Sequence, residues 1–133
     1  MHQAKILVAD DSCTIRTLVR RALIKHDFEV TLACDGKEAV LLAKSNPPDL
    51  VILDIQMPEM DGYTACEQIL ALEERSPDLQ IIFLTKESAG HLNALGRQFG
   101  AYLPKPVCED TLLSTVRALL HVQDPPHICR AAV

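Results

Sequence analysis

A few residues of this chain carry groups that could handle a phosphate and a divalent cation if brought together: Asp10, Asp11, Asp54, Thr85 and Lys105. Singly, each has a bland explanation. Asp11 or Ser12 can cap a helix, and Asp54 precedes a loop, Met57-Pro58-Glu59-Met60-Asp61-Gly62, where a turn residue is ordinary. Thr85 alone can bond the backbone at a strand end, and Lys105 alone can be a solvated lysine. Jointly they point to chemistry. Three carboxylates converging in one crevice repel one another and raise each other's pKa unless a cation sits among them. Hard oxygen ligands favour Mg²⁺ or Mn²⁺, and too few are present for a closed Ca²⁺ cage. Open metal positions leave room for water and a phosphate, whose remaining oxygens suit a lysine and a hydroxyl. A carboxylate nucleophile beside such a cation is the arrangement for an aspartyl-phosphate.

What must bring them together is a sheet. Lys5-Ile6-Leu7-Val8-Ala9, Phe28 to Leu32, Leu50-Val51-Ile52-Leu53 and Gln80 to Leu84 read as strands, with a weaker fifth at Ala101-Tyr102-Leu103. Three of these runs are almost continuously apolar, the mark of strands covered on both faces. Between them the period changes to 3.6: Ile15, Leu18, Val19, Ala22 and Leu23 share one helical face. A second helix opens at Asp35-Gly36 and stops at Asn46-Pro47-Pro48, and a third runs from Gly62 to Glu74. A fourth spans about 88–99 with Gly100 ending it, and a fifth runs from Cys108 to His121. Five βα units with right-handed crossovers make a doubly wound parallel α/β sandwich with helices on both faces. In such sheets the site lies beyond the carboxyl ends of the strands. The first, third, fourth and fifth strands are followed there by Asp10-Asp11, Asp54, Thr85 and Lys105. The second ends in Ala33-Cys34 and contributes nothing, as an edge strand would.

The composition fits one globular domain: 133 residues, 48% hydrophobic and 23% charged. A net charge of −5 argues against a nucleic-acid surface, and Arg16, Arg20 and Arg21 fall on a helix as a solvated face. Cys13, Cys34, Cys66, Cys108 and Cys129 form no CxxC pair, which disfavours a disulfide framework or zinc site and suits a reducing compartment. The amino terminus has no signal-peptide hydrophobic region, and no apolar run approaches the ~20 residues that cross a bilayer. A cytoplasmic location is expected. Residues 122–133, with Pro125-Pro126, read as a flexible tail or linker stub after a domain over 1–121.

From Lys5 to about His121 the chain resembles a receiver domain of a two-component response regulator. The marks are Ile6-Leu7-Val8-Ala9-Asp10-Asp11-Ser12, the segment from Asp49 to Gly62, Leu84-Thr85, and Tyr102-Leu103-Pro104-Lys105-Pro106, in the family's order. The resemblance implies a flavodoxin-like fold with strand order 2-1-3-4-5. It implies that Asp54 is the phosphoacceptor, taking a phosphoryl group from a phosphohistidine of a histidine kinase or histidine phosphotransfer protein. Asp11 and Asp54 would ligate Mg²⁺ (Mn²⁺ substituting) through carboxylates, Gln56 through its carbonyl and Asp10 through water. Lys105 would pair with a phosphate oxygen, ahead of a cis bond to Pro106. Thr85 would move to bond the phosphate and Tyr102 would turn inward behind it, a two-state switch biased by a local charge. The downstream effector is not named by these residues, and no contact with nucleic acid or membrane is expected.

Two departures stand out. The residue after Thr85, usually small in the family, is Lys86, a long cation beside the expected phosphate. The stretch between Gly100-Ala101 and Tyr102 is about two residues shorter than the usual pattern. Rival readings fare worse. A metal-dependent phosphatase on a similar sheet places an acid two residues after its nucleophile; here that residue is Gln56, whose amide cannot do proton work. A flavin site would seat its phosphate where Asp10-Asp11 would repel it. A degenerate receiver, binding partners without phosphorylation, normally lacks one of the five key residues, and none is missing here. The expected protein is thus a signalling phosphoacceptor and not an enzyme turning over a separate substrate.

Overall fold

The structure is a computed structural model and describes residues 3–86 and 100–121. Its strands are β1 (Lys5–Ala9), β2 (Glu29–Ala33), β3 (Leu50–Asp54), β4 (Gln80–Thr85) and β5 (Gly100–Pro104). The described helices are α1 (Cys13–Ile24), α2 (Gly36–Ser45), α3 (Gly62–Leu70) and α4 (Glu109–Leu120). All strand pairs are parallel, in the order β2-β1-β3-β4-β5. This is the doubly wound fold that the alternating patterns imply. The fourth helix expected over 88–99 and the tail over 122–133 lie outside the described residues.

Alternation along each strand sends side chains to two separate cores. Leu7, Ala9, Val51, Leu53, Ile81 and Phe83 meet Ala39, Ala43, Ala65 and Ile69 of α2 and α3. Ile6, Val8, Leu50, Ile52, Ile82 and Leu84 face Val19, Leu23, Leu112 and Val116 of α1 and α4. Every residue of β3 is therefore buried, and its unbroken apolar run is a consequence of being central.

Three of the four described helices start at side-chain caps. Ser12 accepts from the Ile15 amide at 3.3 Å, Asp35 from Glu38 at 2.8 Å and Asp61 from Thr64 at 2.8 Å. Glu38 reaches back to accept from the amide of Cys34, the residue before the cap, at 2.7 Å. The third helix is shorter than its sequence pattern, ending at Leu70 instead of Glu74. Arg75 Nε donates to the Leu70 carbonyl at 2.6 Å, so the chain turns there while Leu72 still packs on the core. β2 begins one residue later than expected, with Phe28 buried just before it.

Candidate functional site

The carboxyl ends of β1, β3, β4 and β5 converge on one open crevice of about 1080 Å³, lined by Asp11, Asp54, Gln56, Thr85 and Lys105 among others. Register brings them together: Ala9 pairs with Leu53, Asp54 with Leu84, and Thr85 with Pro104. Among the described residues, Asp10, Asp54 and Thr85 are the buried polar or charged side chains, with 0%, 5% and 3% exposure. Asp11, by contrast, is exposed.

Asp10 is held tightly. Its Oδ1 accepts from the Ser12 amide at 2.8 Å, and Arg16 donates from Nη1 to its carbonyl oxygen. Its Oδ2 has no hydrogen-bonded partner and faces the Lys105 ammonium at 3.0 Å. The same ammonium lies 3.3 Å from Asp54 Oδ2, and Asp54 Oδ1 accepts from the Gln56 amide at 3.3 Å. Lys105 is fixed by its own backbone, whose amide donates to the Thr85 carbonyl at 2.8 Å, and its bond to Pro106 is cis. Burial pushes the Asp54 carboxyl up to about 6 and the Asp10 charge adds to this, with Lys105 and the Gln56 amide pulling the other way. For Lys105, burial disfavours the charge, yet Asp10 and Asp54 outweigh it and hold the ammonium above its ordinary value.

A close approach of backbone completes the pocket. A Cβ on Gly62 would stand 2.5 Å from the Asp54 carbonyl oxygen and 2.9 Å from Ile55 Cα, so glycine lets α3 start directly against the end of β3. The Gly62 amide uses this proximity to donate to the Ile55 carbonyl at 2.8 Å.

The donor set fits a hard dication. Ligand oxygens of Asp10, Asp11 and Asp54 lie within 4.8 Å of one another, and among the described residues Lys105 is the cation in contact with Asp10 and Asp54. Three formal negatives against one positive leave an excess that a divalent cation with carboxylate and water ligands would offset. Asp10 Oδ2, buried, has the Lys105 ammonium at 3.0 Å as its charged neighbour and no further hydrogen-bonded partner, so it keeps room for a water or metal-bound ligand.

Residues 6–117 match the family described as the response regulator receiver domain. The chain belongs to that family. Response regulator MprA of Mycolicibacterium vanbaalenii is 41% identical over 123 residues, spanning 91% of this chain and 52% of that protein. Its counterpart from Mycobacterium avium is 39% identical over the same length. The chain thus spans about half the length of these relatives. Among solved structures, chemotaxis protein CheY4 of Vibrio cholerae superimposes with a TM-score of 0.75 at 30% identity, covering 89% of this chain and 99% of that one. A two-component response regulator from Clostridium difficile gives 0.79 at 28% identity, covering 92% and 100%.

In this receiver domain the sequence-derived groups are therefore brought to one place, with Gln56 and Lys86 on the crevice rim. Tyr102 stands behind the crevice, half-buried, its ring 5.4 Å from that of Phe83. Sequence reasoning missed Tyr63, which lines the crevice and bonds Tyr102, and Arg16, assigned there to a solvated face but half-buried against the Asp10 backbone. Tyr63 follows Gly62 directly, so its place at the site follows from the glycine's close approach. For Arg16 the only signal is its position in the second turn of a helix that starts beside Asp10-Asp11.

Proposed function

We propose that this receiver domain is a phosphoacceptor in a two-component phosphorelay and that Asp54 carries the phosphoryl group. The observation that supports this best is a buried carboxylate at the end of the central strand, 3.3 Å from a lysine and clustered with two further carboxylates. A phosphohistidine of a histidine kinase or histidine phosphotransfer protein is the donor. An Asp54 oxygen attacks phosphorus, the P–N bond breaks, and the imidazole leaves with the bonding pair and takes a proton. The product is an acyl phosphate on Asp54 and a neutral histidine on the donor.

Asp11 and Asp54 carboxylates, the Gln56 carbonyl and, through water, Asp10 are the groups that would hold Mg²⁺ or Mn²⁺. Such an ion supplies charge neutralisation for the transferring phosphoryl oxygens. Lys105 lies 3.0 Å from Asp10 and 3.3 Å from Asp54, which supports the reading that it pairs with a phosphoryl oxygen as charge builds beyond the Asp54 carboxylate. Thr85, buried at the end of the adjacent strand, offers a hydroxyl to another oxygen, and Tyr102 occupies the space behind. Accumulation of charge at this point biases the Thr85–Tyr102 pair and so alters the surface offered to a downstream effector. The chemistry is self-phosphorylation and self-dephosphorylation, not turnover of a separate substrate. The domain spans 1–121 and acts in the cytoplasm, with 122–133 outside it.

Incubating the protein with acetyl phosphate and Mg²⁺ should add one phosphate by intact mass. Asp54→Asn should abolish the addition. Uptake of one labile phosphate by that variant at the wild-type rate would contradict the assignment.

A further inference from the structure

Tyr63 opens the first turn of α3 and forms part of the crevice wall together with Asp54, Thr85 and Lys105. Its hydroxyl lies 2.8 Å from the Tyr102 hydroxyl on β5, and either oxygen can donate. Both rings pack on Phe83, with centroids 5.0 Å and 5.4 Å away. Phe83 is fully buried, is the register partner of Tyr102, and precedes Thr85 by two positions on β4. Three rings from α3, β4 and β5 thus form a continuous unit. One end faces the crevice; the other lies at the edge strand of the sheet.

We propose that Tyr63 is a positioning residue of the crevice, and that its hydroxyl bond to Tyr102 couples occupancy of the crevice to the placement of Tyr102 at the sheet edge. This rests on the phosphoacceptor reading of Asp54. The half-buried hydroxyls satisfy each other, so separating them leaves each in need of a new partner. A phosphoryl group seated against Tyr63 favours the pinned position of that ring, and by reciprocity the pinned ring favours the phosphoryl group. Tyr102, half-buried and bonded to Tyr63, keeps its proton to a higher pH than a free phenol, in keeping with a held hydroxyl.

The chain itself supplies the reporter, because Tyr63 and Tyr102 are its two tyrosines and it has no tryptophan. Beryllofluoride with Mg²⁺, a tetrahedral phosphoryl mimic, is the probe, followed by the ultraviolet difference spectrum of tyrosine. Wild type should give a difference signal on binding. Tyr63→Phe and Tyr102→Phe should each weaken probe affinity by about three- to tenfold, as loss of one neutral hydrogen bond does. The double variant should be no weaker than either single one, because both remove the same bond. In Tyr63→Phe the remaining Tyr102 should no longer respond to the probe. Additive losses, or full probe binding with no tyrosine signal, would overturn the coupling while leaving Asp54 as phosphoacceptor. Failure of wild type to bind the probe, together with no phosphate on Asp54 from acetyl phosphate, would overturn both.

Discussion

At Asp54, the residues next to a carboxylate set its character as much as its type does. Two negative groups are forced close, in a place where Asp54 has lost most of its water, and one lysine does not neutralise both. In metal-free buffer at pH 7, Asp54→Asn should therefore stabilise the fold, on the order of 1–3 kcal/mol by urea titration. The gain should shrink below about pH 6, where the wild-type carboxyl takes up a proton and becomes neutral like the amide. A variant less stable than wild type at pH 7 would show that Asp54 is net stabilised in its ionised form. Lys86 is exposed on the crevice rim, one residue beyond Thr85. Lys86→Ala should change the half-life of the phosphorylated form several-fold, and an unchanged half-life would mean that the cation serves only solvent. The principal groups were legible in the sequence because each follows a strand, and strand ends of a parallel sheet converge. The Tyr63–Tyr102 bond was not, because it joins residues 39 apart whose meeting depends on how α3 packs over β4 and β5.

At the level of elements, the junction of β3 and α3 carries the tightest constraint. Gly62→Ala places a methyl group against backbone, which cannot yield as a flexible side chain would. The cost should be about 1–3 kcal/mol in stability, and the loop bearing Gln56 should shift with it, so Mg²⁺ affinity should fall as well. Unchanged melting and Mg²⁺ response would show that the helix start has slack. Strand positions followed from the apolar runs almost residue for residue, because burial on both faces leaves little ambiguity. The end of α3 did not. Residues beyond Leu70 keep a helical pattern, but Arg75 caps the Leu70 carbonyl and the chain turns, an outcome that periodicity does not encode.

Over the whole molecule, several protons are held more firmly in the folded chain than in the unfolded one. Burial pushes the Cys66 thiol from 9.0 up to about 12, burial and Tyr63 raise Tyr102, and the neighbouring carboxylates raise Lys105. A raised folded value contributes stability that is complete below the unfolded pKa and is lost as pH rises through the folded one. Urea stability should accordingly begin to fall above about pH 9, with Cys66 the first of the three to contribute. Cys66→Ala should cost about 1 kcal/mol at neutral pH and make the alkaline decline shallower; an equally steep decline would assign it to the other two groups. Thiol reagents at neutral pH should label exposed Cys13, Cys34 and Cys108 well before Cys66. Fold class was legible at this scale from the alternation of strand and helix patterns, which admits few topologies.

Asp54 is the group proposed to form the bond to phosphorus. Borohydride reduces an acyl phosphate to the alcohol, so a phosphorylated aspartate becomes homoserine at its own position in the chain. After acetyl phosphate and Mg²⁺, reduction and peptide mass spectrometry should place homoserine at residue 54, and excess EDTA during phosphorylation should remove it. Homoserine at Asp10 or Asp11 instead, or equal yields with and without EDTA, would contradict the account.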